Sequence, residues 1–235
     1  MKDSKGFTFR QFTVQHNLCA MKVGTDGVLL GAWAEGGRRI LDAGTGSGLI
    51  ALMMAQRFAN AWVDAIDIDA GACEQATQNA ANSKFANRIK VCLSKLQQWH
   101  ADEPYDSIVC NPPYFVNSLK AGTTERTLAR HADSLPLNEL MTHAKRLLTL
   151  EGSLNVVLPL QNVSEACTQA AFAGMRLSRR CDIKTTPAKP AKRSLLTFTA
   201  RHFVSTESVV QTLQDDHGCP SEWYSQLTNE FYLPR

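Results

Sequence analysis

No stretch of this 235-residue chain approaches the roughly 20 consecutive apolar residues a membrane-spanning helix needs. Its first residues, MKDSKGFTFRQ, lack the charged-then-apolar order of an export signal. A soluble, cytoplasmic protein with no membrane partner is expected. Cysteine is present but unpatterned: the seven, at positions 19, 73, 92, 110, 167, 181 and 219, form no CxxC pair and have no histidine at zinc-finger spacing. Neither a metal nor a disulfide framework is indicated. Free, mostly buried thiols of a reducing compartment are expected instead. Charge is also scarce, at 20% of residues with a net +3, too little to demand a polyanionic partner. No internal repeat, low-complexity run or linker divides the chain. A single domain over 1–235 is expected, with an N-terminal segment and short helix (1–38), a core (39–202) and a C-terminal extension (203–235).

The 44% hydrophobic residues are arranged in alternating β and α patterns. Arg39–Asp42, Ala61–Ile68, Ile89–Leu93, Tyr105–Cys110, Ser153–Leu158, Leu177–Thr185 and Ser194–His202 read as seven strands. Leu49–Phe58, Gly71–Asn82, Leu137–Leu150 and Asn162–Ala173 read as helices. A short helix is expected to begin at Asp26, as its N-cap, and to take in the apolar run Val28 to Trp33, and Trp33 and Trp62 are assigned to the core. Strands alternating with helices imply a mostly parallel sheet covered on both faces.

Between the first strand and its helix lies Asp42-Ala43-Gly44-Thr45-Gly46-Ser47-Gly48. Glycines at that junction let a ligand approach a helix N-terminus closely. The GxGxG spacing fits the dinucleotide fingerprint poorly, and no GK[ST] follows to make a P-loop. Asp42 would repel a pyrophosphate but suits a ligand with an ammonium group. Asp67, nineteen residues past Gly48, stands where an adenosine ribose is commonly held. A ribose at one end and a cationic amino acid at the other describe S-adenosylmethionine. The DxGxGxG pattern with its downstream acid resembles that of class I methyltransferases, whose fold is a Rossmann-like, seven-stranded, mostly parallel sheet with helices on both faces and an antiparallel last strand.

The fourth strand runs into Asn111-Pro112-Pro113-Tyr114-Phe115. Consecutive prolines cannot continue a central strand, so the chain turns here into a stiff loop. The Asn111 side-chain oxygen and the Pro112 carbonyl can each accept one hydrogen of an attacking NH2 group, while Tyr114 and Phe115 offer a stacking face for a flipped base. The NPPY sequence resembles the catalytic motif of methyltransferases acting on planar amines: adenine N6, cytosine N4, guanine N2 or the glutamine amide. From Arg176 to Arg201, eight basic residues face the single acid Asp182, a local patch suited to RNA phosphates.

Phe9-Arg10-Gln11-Phe12, His16 and the run Cys19 to Trp33 resemble the start of the bacterial tRNA adenine-N6 methyltransferases that modify the adenine 3′ of the anticodon in a valine tRNA. The Ala129-Arg130-His131 segment, the strand start Lys192-Arg193-Ser194 and the closing Glu230-Phe231-Tyr232-Leu233 are similar too. That resemblance implies a tRNA partner and S-adenosylmethionine as cofactor. The cofactor would be bound by Asp42, Gly44, Gly46, Gly48 and Asp67, with Asp26 near the pocket, and Asn111, Pro112 and Tyr114 would be catalytic. Many relatives place an acid after the third strand to meet the cofactor's adenine. Here Ser94-Lys95 stands there, so that contact passes to Ser94 or to backbone. Phe115, Arg126, Arg130, Lys189, Lys192 and Arg193 are the candidate substrate contacts. A glutamine-amide methyltransferase acting on a release factor, and an RNA-binding protein with a vestigial fold, are the alternatives.

Overall fold

A computed structural model describes residues 6–19, 22–112, 135–201 and 205–234. The chain opens with two short paired strands, β1 (Phe7–Thr8) and β2 (Thr13–Val14), and then α1 (Thr25–Trp33). The alternating units follow as β3 (Arg39–Ala43), α2 (Leu49–Arg57), β4 (Trp62–Asp67), α3 (Ala70–Ala81), β5 (Ile89–Leu93) and β6 (Tyr105–Cys110). After 113–134, which lie outside the described residues, come α4 (Leu137–Leu147), β7 (Leu148–Pro159), α5 (Val163–Phe172), β8 (Arg176–Lys184), β9 (Ala191–Thr199), β10 (Glu207–Thr212) and α6 (Glu222–Thr228).

The main sheet has the order β10-β8-β9-β7-β6-β3-β4-β5. Every neighbouring pair is parallel except those made by β9, which runs antiparallel between β7 and β8. The expected mostly parallel sheet with an antiparallel last core strand is therefore present. It is wider by one strand, because β10, from the segment read as an extension, adds to β8.

Strand alternation divides the core into two layers. Ile40, Val63, Ala65 and Val109 pack with α1 and α2 on one face, while Leu41, Ala43, Ile66, Ile108 and Cys110 pack with α4 and α5 on the other. Burial on both faces is why Ile108-Val109-Cys110 reads as a continuous apolar run.

Three local readings are corrected. The residue preceding α1 is Gly24, with no side-chain cap, and Asp26 lies inside the first turn. The fourth long helix stops at Leu147, because the backbone at Leu148 is extended (φ −82°, ψ 149°) and pairs with Tyr105. Trp62 is 56% exposed, since it begins β4 at the sheet's uncovered amino end, whereas Trp33 is half-buried beneath the Arg179 guanidinium, 4.2 Å from its ring centre.

Three of the seven cysteines, Cys73, Cys110 and Cys181, are buried. Burial pushes the Cys181 thiol up to about 12. Among the described residues no helix is long and apolar enough to cross a membrane, and no cluster of His, Cys, Asp or Glu could hold a metal.

Candidate active site

Strand order reverses at β3, which pairs with β4 on one side and β6 on the other. Ligands of open α/β sheets bind outside the carboxyl ends of the strands at such a switch point. Asp42 pairs with Val109, so Gly44 and Asn111 each lie two residues past that pair and emerge side by side at the carboxyl rim. Ala43 pairs with Ile66, which brings Asp67 to the same rim on the other side.

The glycine loop is held in an unusual path by positive φ at Gly44 (75°), Gly46 (54°) and Gly48 (80°), a conformation L side chains seldom adopt. The Gly44 and Thr45 amides donate to the Ile66 carbonyl at 2.8 and 2.9 Å, and the Gly46 amide donates to Asp67 Oδ2 at 2.8 Å. Among the described residues, a Cβ built on Gly44 or Gly46 meets nothing within 4 Å. At Gly48 the same atom would sit 3.2 Å from Ala76, which fixes α3 closely against the loop.

Asp42 is fully buried. Its Oδ2 accepts from Thr45 Oγ1 at 2.7 Å and from the Ala51 amide at 3.0 Å, while Oδ1 has no partner among the described residues. Burial and, to a smaller extent, the Asp67 charge raise its pKa to about 7 against the pull of those two hydrogen bonds. No cation offsets its charge among the described residues. Asp67, half-buried, accepts one backbone amide on each oxygen, from Gly46 and from Asp69 at 3.0 Å, and each oxygen keeps a lone pair for a further donor. The Ser94 amide donates to the Asp67 carbonyl at 2.9 Å and its hydroxyl to the Lys95 carbonyl at 3.1 Å, so Ser94 reaches the same rim.

Of the loop after β6, Asn111 is half-buried and Pro112 buried. Tyr114, Phe115, Arg126 and Arg130 lie outside the described residues. Asp26 is paired with Arg193, which joins the first turn of α1 to the start of β9. Because β9 runs antiparallel, that start lies at the carboxyl rim, and with it come the exposed Lys189 and Lys192.

The eight-residue basic run is not one patch. Arg176 and Arg201 sit at the opposite rim, the latter paired with Glu151 at 2.8 Å. Arg179 meets Glu35 at 3.3 Å, and Arg180 forms a two-pronged bond with Asp182 at 2.9 and 2.8 Å.

Sequence reading passed over two buried amides of α3, Gln75 and Asn79. Gln75 Oε1 accepts from the Leu18 amide at 3.1 Å. Asn79 accepts from the Gln15 amide at 2.9 Å and donates to the carbonyls of Gln15 and Ser47, both at 2.8 Å. Their signal was present, since amides four apart in an alanine-rich helix share one face.

The methyltransferase small domain family matches residues 23–180. A curated tRNA1(Val) (adenine(37)-N6)-methyltransferase of Parabacteroides distasonis is 47% identical over 231 residues, covering 97% of each chain. The one from Pseudoalteromonas translucida is 40% identical and covers 97% of this chain and 98% of its own. Among solved structures, a predicted O-methyltransferase from Agrobacterium tumefaciens superposes with a TM-score of 0.69 at 19% identity, over 90% of this chain and 99% of that one, a likeness of fold.

Proposed function

Because the chain belongs to the methyltransferase small domain family and, within it, to the tRNA1(Val) (adenine(37)-N6)-methyltransferases, we propose that it methylates N6 of adenine 37 in tRNA1(Val), using S-adenosylmethionine and working in the cytoplasm as a single domain. The observation that carries this reading is the juxtaposition, on neighbouring strands, of a glycine loop with a cation-seeking carboxylate and the Asn111-Pro112 turn.

The residues fit the cofactor. Among the described residues Asp42 Oδ1 has no partner and nothing crowds Gly44 and Gly46, which suits the ammonium group and a closely approaching ligand, and the spare lone pairs of Asp67 suit ribose hydroxyls. S-adenosylmethionine supplies, when bound, a methyl group activated by its sulfonium charge.

Asn111 and Pro112 do the aiming. The Asn111 side-chain oxygen and the Pro112 carbonyl accept the two N6 hydrogens of the target adenine, which turns the nitrogen lone pair outward. Pulling on those hydrogens favours the pyramidal nitrogen of the transition state over the flat amine of the ground state. No covalent intermediate or strong base is required, since the methylated amine sheds its extra proton to water. Tyr114 and Phe115 stack on the flipped base, Asp26 and Ser94 border the cofactor, and Arg126, Arg130, Lys189, Lys192 and Arg193 are the candidate grips on the RNA.

The test is transfer of labelled methyl to an unmodified tRNA1(Val) transcript and to one carrying guanine at position 37, followed by nucleoside analysis. N6-methyladenosine in the first and no label in the second is the expected result. Equal labelling of both transcripts, or labelling of a release factor in place of RNA, would overturn the proposal.

A further inference from the structure

The N-terminal residues 15–18 run as a strap along α3, on the side that abuts the glycine loop. Both backbone groups of Gln15 are bonded to the Asn79 side chain, and the Leu18 amide is bonded to Gln75. The approach is close: a Cβ on Gly71 would lie 2.6 Å from the Leu18 carbonyl oxygen. The second hydrogen of the Asn79 amide goes elsewhere, to the carbonyl of Ser47, between the last two glycines of the cofactor loop. Asn79 itself is 1% exposed, and three of its four hydrogen-bonding positions are filled by backbone groups of two different segments.

Three backbone tethers thus define the loop: the Ile66 carbonyl holds Gly44 and Thr45, Asp67 holds Gly46, and Asn79 holds Ser47. The first two come from β4, and Asp67 also has its expected part in ribose binding. Asn79 alone among them comes from a helix and also grips the strap. Glycine has more freedom to lose on ordering than any other residue, so a loop with three of them in left-handed conformations gains its binding-competent shape from outside tethers.

We infer that Asn79 is a positioning residue for the cofactor: it locks the glycine loop and the N-terminal strap into one unit, so that affinity for S-adenosylmethionine depends on a side chain that touches neither cofactor nor substrate. The inference rests on the methyltransferase reading of the site but not on the identity of the RNA. Thermodynamic coupling is reciprocal, so a cofactor that orders the loop must also steady the strap.

Asn79→Asp keeps the shape and the acceptor for the Gln15 amide but removes both donated bonds. Titration calorimetry with S-adenosylmethionine should show a dissociation constant raised on the order of tenfold, the effect of losing about one net hydrogen bond of preorganisation. At saturating cofactor, kcat should stay within about twofold of wild type, whereas Glu74→Ala, on the exposed face of the same helix, should leave the affinity unchanged.

In case the aspartate unsettles the fold, wild-type protein provides an independent readout. Adding S-adenosylmethionine should slow hydrogen exchange at the Gln15 and Leu18 amides, and Asn79→Asp should abolish that protection. Unchanged affinity in the variant, or exchange in the strap that ignores the cofactor in wild type, would overturn the inference. Wild type that binds no S-adenosylmethionine would instead refute the reading of the site on which it rests.

Discussion

Replacing Asp42 by asparagine removes a charge that the fold itself disfavours. The carboxyl group is fully buried, with Oδ2 bonded to Thr45 and Ala51 and Oδ1 unpartnered, and burial lifts its pKa to about 7. In the unfolded chain it would titrate near 4. Between those values the folded state binds a proton that the unfolded state does not, so stability falls as pH rises through this window and levels off above it. The interval of about three pH units, at ~1.4 kcal/mol each, sets the loss at ~4 kcal/mol, an upper figure because a buried site relaxes.

The asparagine variant has no such titration. Urea unfolding of cofactor-free protein from pH 5 to pH 8 should therefore show wild type losing ground to Asp42→Asn by ~2–3 kcal/mol, with most of the change below pH 7. The cofactor reverses the preference, because an ammonium group beside Oδ1 stabilises the ionised form. Wild-type affinity should rise with pH toward about 7 and then flatten, while the variant binds weakly at every pH. Parallel stability curves for the two proteins across pH 5–8 would refute the assignment of a strained, ligand-awaiting carboxylate.

Asn111→Ala should lower kcat by about a hundredfold or more while cofactor affinity stays within about threefold, because the lost contact belongs to the reacting amine; pre-steady-state methyl transfer and calorimetry separate the two. Lys189→Ala and Lys192→Ala should each weaken tRNA binding and flatten its log–log salt dependence by about one unit. Arg193→Ala should flatten it less than Lys192→Ala, because the Arg193 guanidinium is engaged by Asp26, and filter binding across a salt series decides the comparison. Arg88 donates to the carbonyls of Ala55, Phe58 and Ala61 at 2.7, 3.1 and 2.8 Å, closing the end of α2. Arg88→Ala should cost ~2–4 kcal/mol in urea unfolding and leave kcat measured at low temperature near wild type.

The core of the sheet was legible because strands buried on both faces must be apolar throughout, and the turns between them must carry glycine or proline. Hence β3, β5 and β6 fall within a residue of expectation, and the glycine loop and Asn111 follow β3 and β6 as the strand and turn pattern requires. Failures came where tertiary context decides. β10 offers only Val209-Val210 as an apolar pair, both exposed, and pairing with β8 is what makes it a strand. Trp62 has a core composition but begins a strand at an uncovered rim. The basic run looked like one patch because sequence cannot show that the β8–β9 hairpin sends its turn to one rim and both its ends to the other. Asn79 and Gln75 were passed over in an alanine-rich helix, since what buries them is a strap more than fifty residues earlier in the chain.

The central claim is that the carboxyl rim of β3, β4 and β6 transfers a methyl group from S-adenosylmethionine to an exocyclic amine aimed by Asn111. The most direct test is single-turnover transfer from labelled cofactor to unmodified tRNA by wild type and Asn111→Ala, both shown beforehand to bind the cofactor, with nucleoside analysis of the product. N6-methyladenosine formed by wild type and nearly absent with the variant is the predicted result. Undiminished N6-methyladenosine with Asn111→Ala, or a different methylated nucleoside with wild type, would contradict it.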